Sequence, residues 1–236
     1  MNNFIIMKTQ ILLFFSILFF TLTIYSQAPR GFYAVAGLSQ TELKSSDLLT
    51  EPNLGFLLGI NFQMGYHESY NYQMELTYRI NTLDVKYVEN GFEQASSSKY
   101  NASDLNFGLY FNYYILKPEE DEFFIGPQAG VFAALQDVFT PSGGSDVSGQ
   151  YYLPHLLDEN ALSHSSEFNY GFGFGITGGY NNFRFDLRYT LGMVNLLSDV
   201  ETDSYDENHN YIGPSLEGKT NTISFGVSYN IFHFKK

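Results

Sequence analysis

The chain has 236 residues, no cysteine, and 12 basic against 25 acidic residues for a net charge of −13. This excludes a disulfide framework and a cysteine-borne lipid anchor, and it makes nucleic acid a poor partner for so acidic a surface. Aromatic residues make up 18% of the chain, with 19 Tyr, 23 Phe and 21 Gly, yet past the N-terminal segment no apolar run approaches the ~20 residues of a spanning helix, so a helical membrane bundle is excluded.

The chain opens on Lys8, an apolar run from Ile11 to Tyr25 and the small residue Ser26, followed by Gln27, Pro29 and Arg30. That order is expected to be a Sec-type signal peptide over residues 1–26, cleaved near Ser26. Only Lys8 leaves with it, so residues 27–236 keep 11 bases against 25 acids.

From there the chain beats in twos, the period of a strand that sends successive side chains to opposite faces. A first readable segment is Phe32–Ser39. Next, Phe56, Leu58, Ile60, Phe62, Met64 and Tyr66 share one face, and Tyr72, Met74, Leu76, Tyr78 and Ile80 share another. Leu105, Phe107, Leu109, Phe111 and Tyr113 alternate with Asn106, Gly108, Tyr110 and Asn112. Phe123–Gln136 is less regular, and its Pro127 predicts a bulge or a strand end. Tyr170, Phe172, Phe174 and Ile176 alternate with Gly171, Gly173, Gly175 and Thr177. Phe183, Phe185, Leu187, Tyr189, Leu191 and Met193 alternate with Arg184, Asp186, Arg188, Thr190 and Gly192. The last segment sets Ile223, Phe225, Val227, Tyr229 and Ile231 against small polar residues.

Eight such segments, joined by connections that alternate short and long, predict an all-β fold. It is an eight-stranded antiparallel up-and-down transmembrane β-barrel with short periplasmic turns and long extracellular loops. The short turns fall near His67–Asn71, Lys117–Glu122 and Asn181–Asn182; the long loops near Glu42–Asn53, Glu89–Asn101, Thr140–Asn169 and Ser198–Lys219. Tyr66, Tyr72, Tyr113, Phe123, Tyr180 and Phe183 sit beside the short turns, where an aromatic girdle at the inner interface belongs. The expected location is the cell outer membrane.

The stretches Gln73–Tyr78, Gly126–Gly130, Phe172–Tyr180 and Arg188–Asn195 resemble successive strands of the PorT-like outer-membrane β-barrel family. The resemblance covers nearly all of the chain after the N-terminal segment. It implies fold and location, and, through one member class, assistance to type IX protein secretion; it implies no catalytic residues. Ser224, Gly226, Tyr229 and Ile231 resemble the terminal signal read by the barrel-assembly machinery.

Inward-facing charges need partners, because the interior of a small barrel is nearly dry. Glu75 and Arg79 share one inward face; Arg184, Asp186 and Arg188 share another. The third and seventh strands of an eight-stranded ring lie opposite each other, which predicts a cross-lumen network in which Glu75 meets Arg184 or Arg188. The long third loop carries Tyr151, Tyr152 and Leu153 beside Pro154 as a contact patch, with folding back over the barrel mouth as the alternative. His164-Ser165-Ser166-Glu167 is similar to the base, nucleophile and acid of barrel enzymes that deacylate lipid A, whereas its place in a Ser-rich loop reads as ordinary loop sequence. Asp199, Glu201, Asp203, Asp206 and Glu207 lack the order of a calcium loop and read as a solvated surface. No catalytic residue, metal site or cofactor is therefore expected.

An eight-stranded interior is filled by its own side chains, which disfavours a diffusion porin. The expected function is a structural or loop-borne binding or adhesion role at the cell surface. Narrow solute transport or a secretion-accessory role comes second, and lipid A modification third. Expected partners are outer-membrane lipid and lipopolysaccharide, the assembly machinery during insertion, and an unknown extracellular ligand.

Overall fold

The computed structural model describes residues 31–67, 69–89, 95–116, 123–137, 139–140, 150–152, 161–200 and 216–233, so the expected signal peptide lies outside the described residues. In chain order the strands are β1 (Gly31–Ser45), β2 (Thr50–Pro52), β3 (Leu54–His67), β4 (Tyr70–Ile80), β5 (Thr82–Glu89) and β6 (Ala95–Asn101). They continue with β7 (Asp104–Tyr113), β8 (Phe123–Gln136), β9 (Gln150–Tyr152), β10 (Phe168–Tyr180), β11 (Phe183–Gly192) and β12 (Gly218–His233). Eight of them, β1, β3, β4, β7, β8, β10, β11 and β12, close into a barrel in that order, with β12 returning to β1. Every neighbouring pair is antiparallel, so the ring is an up-and-down barrel.

The wall is inverted relative to a protein in water. Along β11, Arg184, Asp186, Arg188 and Thr190 are buried, while Phe183, Leu187 and Tyr189 are 55%, 46% and 40% exposed. On β12 the same inversion buries Ser224 and Ser228 and exposes Phe225 and Val227. A soluble sandwich would hide Leu187 and Phe225 between its sheets. The outward apolar ladder of β11 continues to Met193, so from Phe183 it runs about 34 Å along the strand, or about 24 Å vertically at a 45° tilt, close to the apolar band of a membrane barrel.

Asn181 and Asn182 join β10 to β11, and Asn181 has φ of 54°. That left-handed conformation matches the twist of a two-residue hairpin, and Asn tolerates it better than most residues. Pro127 lies inside β8 and keeps its pairing with Ile176 of β10. On the other side the ladder to β7 stops at Asn112↔Gln128, one residue short of the proline, which has no N–H to donate. The predicted strand end is therefore real for one neighbour and absent for the other.

The long connections depart from the expected polar loops. β1 continues to Ser45; β5 and β6 form a hairpin; β2 and β9 both pair with β5, making a second, smaller sheet off the barrel path. A 3-10 turn covers Ala161–His164. Each connection carries a few apolar residues, and they find one another at the long-connection end of the barrel.

A charge-paired lumen beneath a folded cap

Alternation along eight strands fills the lumen with polar side chains, and opposition in the ring decides which of them meet. β4 and β11 face each other across the barrel. Arg188 of β11 donates from Nη1 to Glu75 Oε1 at 2.7 Å and from Nη2 to Oε2 at 3.2 Å. Its Nε donates to Gln128 Oε1 at 2.8 Å, and its guanidinium lies 3.7 Å above the centre of the Tyr110 ring. Such a bidentate pair, with further hydrogen bonds to both partners, is the geometry in which burial of two charges is best compensated.

Tyr110 lies flat because the wall beneath it has no side chains. A Cβ added at Gly108, Gly130 or Gly173 would stand 2.3, 2.6 or 2.8 Å from a Tyr110 ring atom. Three strands thus contribute glycine to seat one ring, and the ring supports the arginine that crosses the lumen.

Toward the short-turn end, Arg184 donates from Nη2 to Gln73 Oε1 at 2.7 Å and pairs with Asp186 at 3.2 Å. Gln73 donates in turn to Glu75 Oε2 at 2.9 Å, so both arginines of β11 join one network. Asn112 donates to Asn71, and Asn71 to Gln63, at 2.7 and 2.9 Å. Arg79, on the same inward face of β4 as Glu75, reaches the adjacent strand, where its Nε donates to Asp104 Oδ1 at 2.8 Å. The inward direction of Asp104 is legible from its alternation with Leu105 and Phe107. Among the described lumen residues, Arg79, Arg184 and Arg188 are thus matched by Asp104, Asp186 and Glu75.

Above this layer the polar ladder ends in a latch. Ser39 Oγ donates to Asn81 Oδ1 at 2.7 Å, Asn81 Nδ2 donates to Thr41 Oγ1 at 2.9 Å, and Thr41 shares a 2.9 Å hydrogen bond with Thr222. Asn81 occupies the break between β4 and β5, so it ties the start of the outer hairpin to the inward face of β1.

Over the latch sits an apolar core that sequence reading missed. Leu43 comes from the outer end of β1 and Leu48 from the first long connection, Leu83, Val85 and Tyr100 from the second, Phe139 and Leu162 from the third, and Leu196, Leu197, Val200 and Leu216 from the fourth; none is more than 3% exposed. All four outer connections therefore share one core. Hydrogen bonds between connections lace it together: Asn101 N to Thr140 O at 2.9 Å, Ser166 N to Leu196 O at 2.8 Å, and Glu217 N to Asp47 Oδ2 at 2.8 Å.

The remaining expected sites take these places. Ser165 is buried and its Oγ accepts from Phe139 N at 3.3 Å, whereas His164 is exposed, so this stretch braces the cap. Tyr151 and Tyr152 belong to β9 and pair through their backbone with Val88 and Tyr87, which puts this part of the expected contact patch on a strand of the small sheet; Leu153 lies outside the described residues. Asp199 is exposed, and Glu201, Asp203, Asp206 and Glu207 lie outside the described residues. Ser224 and Gly226 point inward on β12, and Tyr229 and Ile231 point outward at 47% and 60% exposure.

No family model matches the sequence, and a search of curated proteins finds no match. Among solved structures, the chain is similar to the outer membrane protein OprG from Pseudomonas aeruginosa, at 12% identity over 86% of this chain and 98% of that one, with a TM-score of 0.46. It is also similar to Neisserial surface protein A, at 15% identity over 87% of this chain and 100% of that one with a TM-score of 0.39. A third is Ail, the attachment invasion locus protein of Yersinia pestis, in complex with a heparin analogue, at 12% identity over 86% and 99% with a TM-score of 0.36. The eight-stranded barrel of this chain stands on its own register.

Proposed function

We propose that the chain is an integral outer-membrane β-barrel whose filled lumen serves as a rigid mount for the folded cap, and that the cap carries a binding, adhesion or envelope-support role at the cell surface. One observation carries this reading: the long connections converge on a single apolar core directly over a lumen whose described charges are matched. A core of that kind orders the outer connections into a fixed surface, which is what recognition at low entropic cost requires. The outward belt supplies the membrane, and the short-turn end, which also holds the ends of β1 and β12, faces the periplasm. Residues 1–26 act as the signal peptide, lipopolysaccharide and other outer-membrane lipid surround the belt, and β12 is the segment offered to the assembly machinery.

A second reading, assistance to protein secretion, rests on the resemblance of the four strand stretches to the PorT-like family, from which Asp104–Leu116 departs by lacking a Pro-containing strand start. With the lumen packed, such a role is exercised by the cap or the wall, not by passage along the axis.

Conductance of the purified chain in planar bilayers separates binding from transport. The wild-type chain is expected to insert without discrete conducting steps. Stable single-channel openings would contradict the filled lumen and return narrow transport to first place.

A further inference from the structure

We infer that Lys44 and Lys219 form a clamp for the phosphate of a membrane-lipid headgroup, on the outer wall just above the apolar belt. This rests on the membrane reading above. The register sets Lys44 of β1 directly opposite Lys219 of β12. Both are exposed, while their chain neighbours Leu43 and Thr220 are buried, so both lysines lie on the face that lower down carries the lipid-facing residues.

Like charges placed opposite each other across two strands are destabilising. The usual structural excuse, a lysine guarding a bare sheet edge, does not apply, because β1 and β12 close the ring. Carboxylates are near in the chain: Glu42 two residues below Lys44 on β1, Glu217 two residues before Lys219 and just outside β12, and Asp47, which accepts from the Glu217 amide. Even so, among the described residues neither lysine is ion-paired with any of them, whereas Lys86 pairs with Glu51 in the small sheet. Among the described residues the two ammonium groups therefore have no direct ion-pair partner, in a chain where acids outnumber bases about two to one.

Their height fits a headgroup. Lys219 lies four residues above Ile223, the last apolar residue of the β12 ladder, which at a 45° tilt is about 10 Å above the hydrocarbon. Lysine side chains bend toward the interface, which closes the remaining distance to the polar layer of the bilayer. Two adjacent point charges suit the several oxygens of one phosphate.

The test folds the full chain in detergent micelles doped with phosphorylated lipid A or with the same lipid stripped of its phosphates, and native mass spectrometry reads the lipid retained. Wild type is expected to retain the phosphorylated form at least about tenfold better. K44Q/K219Q is expected to lose that preference, and K44R/K219R to keep it. Equal retention by the glutamine variant, or equal retention of the stripped lipid, would overturn the clamp. Protection of both lysines from acetylation by inorganic phosphate as complete as by lipid A would assign the site to a free anion and overturn the lipid assignment. Heat-dependent gel migration reports barrel formation in each sample. A wild-type chain showing no such shift would overturn the membrane reading as well, an outcome distinct from a folded barrel that retains no lipid.

Discussion

At the scale of single residues, the Glu75–Arg188 pair has the highest stakes because both partners are about 6% exposed and each is the other's principal compensation. Removing one partner strands a buried charge, which costs about 3–5 kcal/mol, whereas replacing both with apolar groups of similar volume costs far less. Urea unfolding in micelles of Glu75→Leu, Arg188→Met and the double variant is expected to show strong coupling, with the double variant more stable than either single one. Additive losses would mean that the two side chains do not depend on each other. The glycine floor makes a second demand. A methyl at Gly173 would stand 2.8 Å from Tyr110 Cε1, so Gly173→Ala is expected to cost about 1–3 kcal/mol by overpacking and much less in a Tyr110→Ala background. An equal cost in both backgrounds would show that Tyr110 is not what the glycine accommodates.

Elements differ in how openly the sequence announced them. The barrel strands were legible because lipid outside and a crowded lumen inside force a strict two-residue period over about ten residues, a length that few soluble strands reach. The Asn181–Asn182 turn was legible from its residue types. With φ of 54° at Asn181, Asn181→Val is expected to lose about 1–2 kcal/mol and Asn181→Gly to be tolerated, as measured by unfolding midpoints. A neutral valine would place the turn in another conformation. The cap was missed for a physical reason: its core residues arrive singly from four connections, and only tertiary assembly makes them contiguous. One sign was available. Leu83 and Val85 alternate with Asp84 and Lys86, the pattern of a half-buried strand in water, and those residues form β5. Of the lumen site, the opposition of Glu75 and Arg188 could be read from alternation plus ring geometry. The seat of Tyr110 could not, because it depends on the mutual register of β7, β8 and β10.

The whole molecule divides by solvent. Its belt turns Leu, Ile, Phe and Tyr outward on all eight barrel strands or their flanks, its lumen buries Arg, Glu, Asp, Gln and Asn, and its cap reverts to the ordinary order of apolar inside and polar outside. That reversal within one chain has a direct explanation if hydrocarbon surrounds the barrel and water surrounds the cap. The absence of cysteine lets each zone be labelled singly. Nitroxide labels attached at Leu187→Cys, in the middle of the belt, and at Glu51→Cys, on the cap, in the chain reconstituted into bilayers, report local access to dissolved oxygen against a water-soluble nickel complex. Label 187 is expected to favour oxygen strongly and label 51 the nickel complex. Equal access of the nickel complex to both would contradict a lipid-embedded barrel.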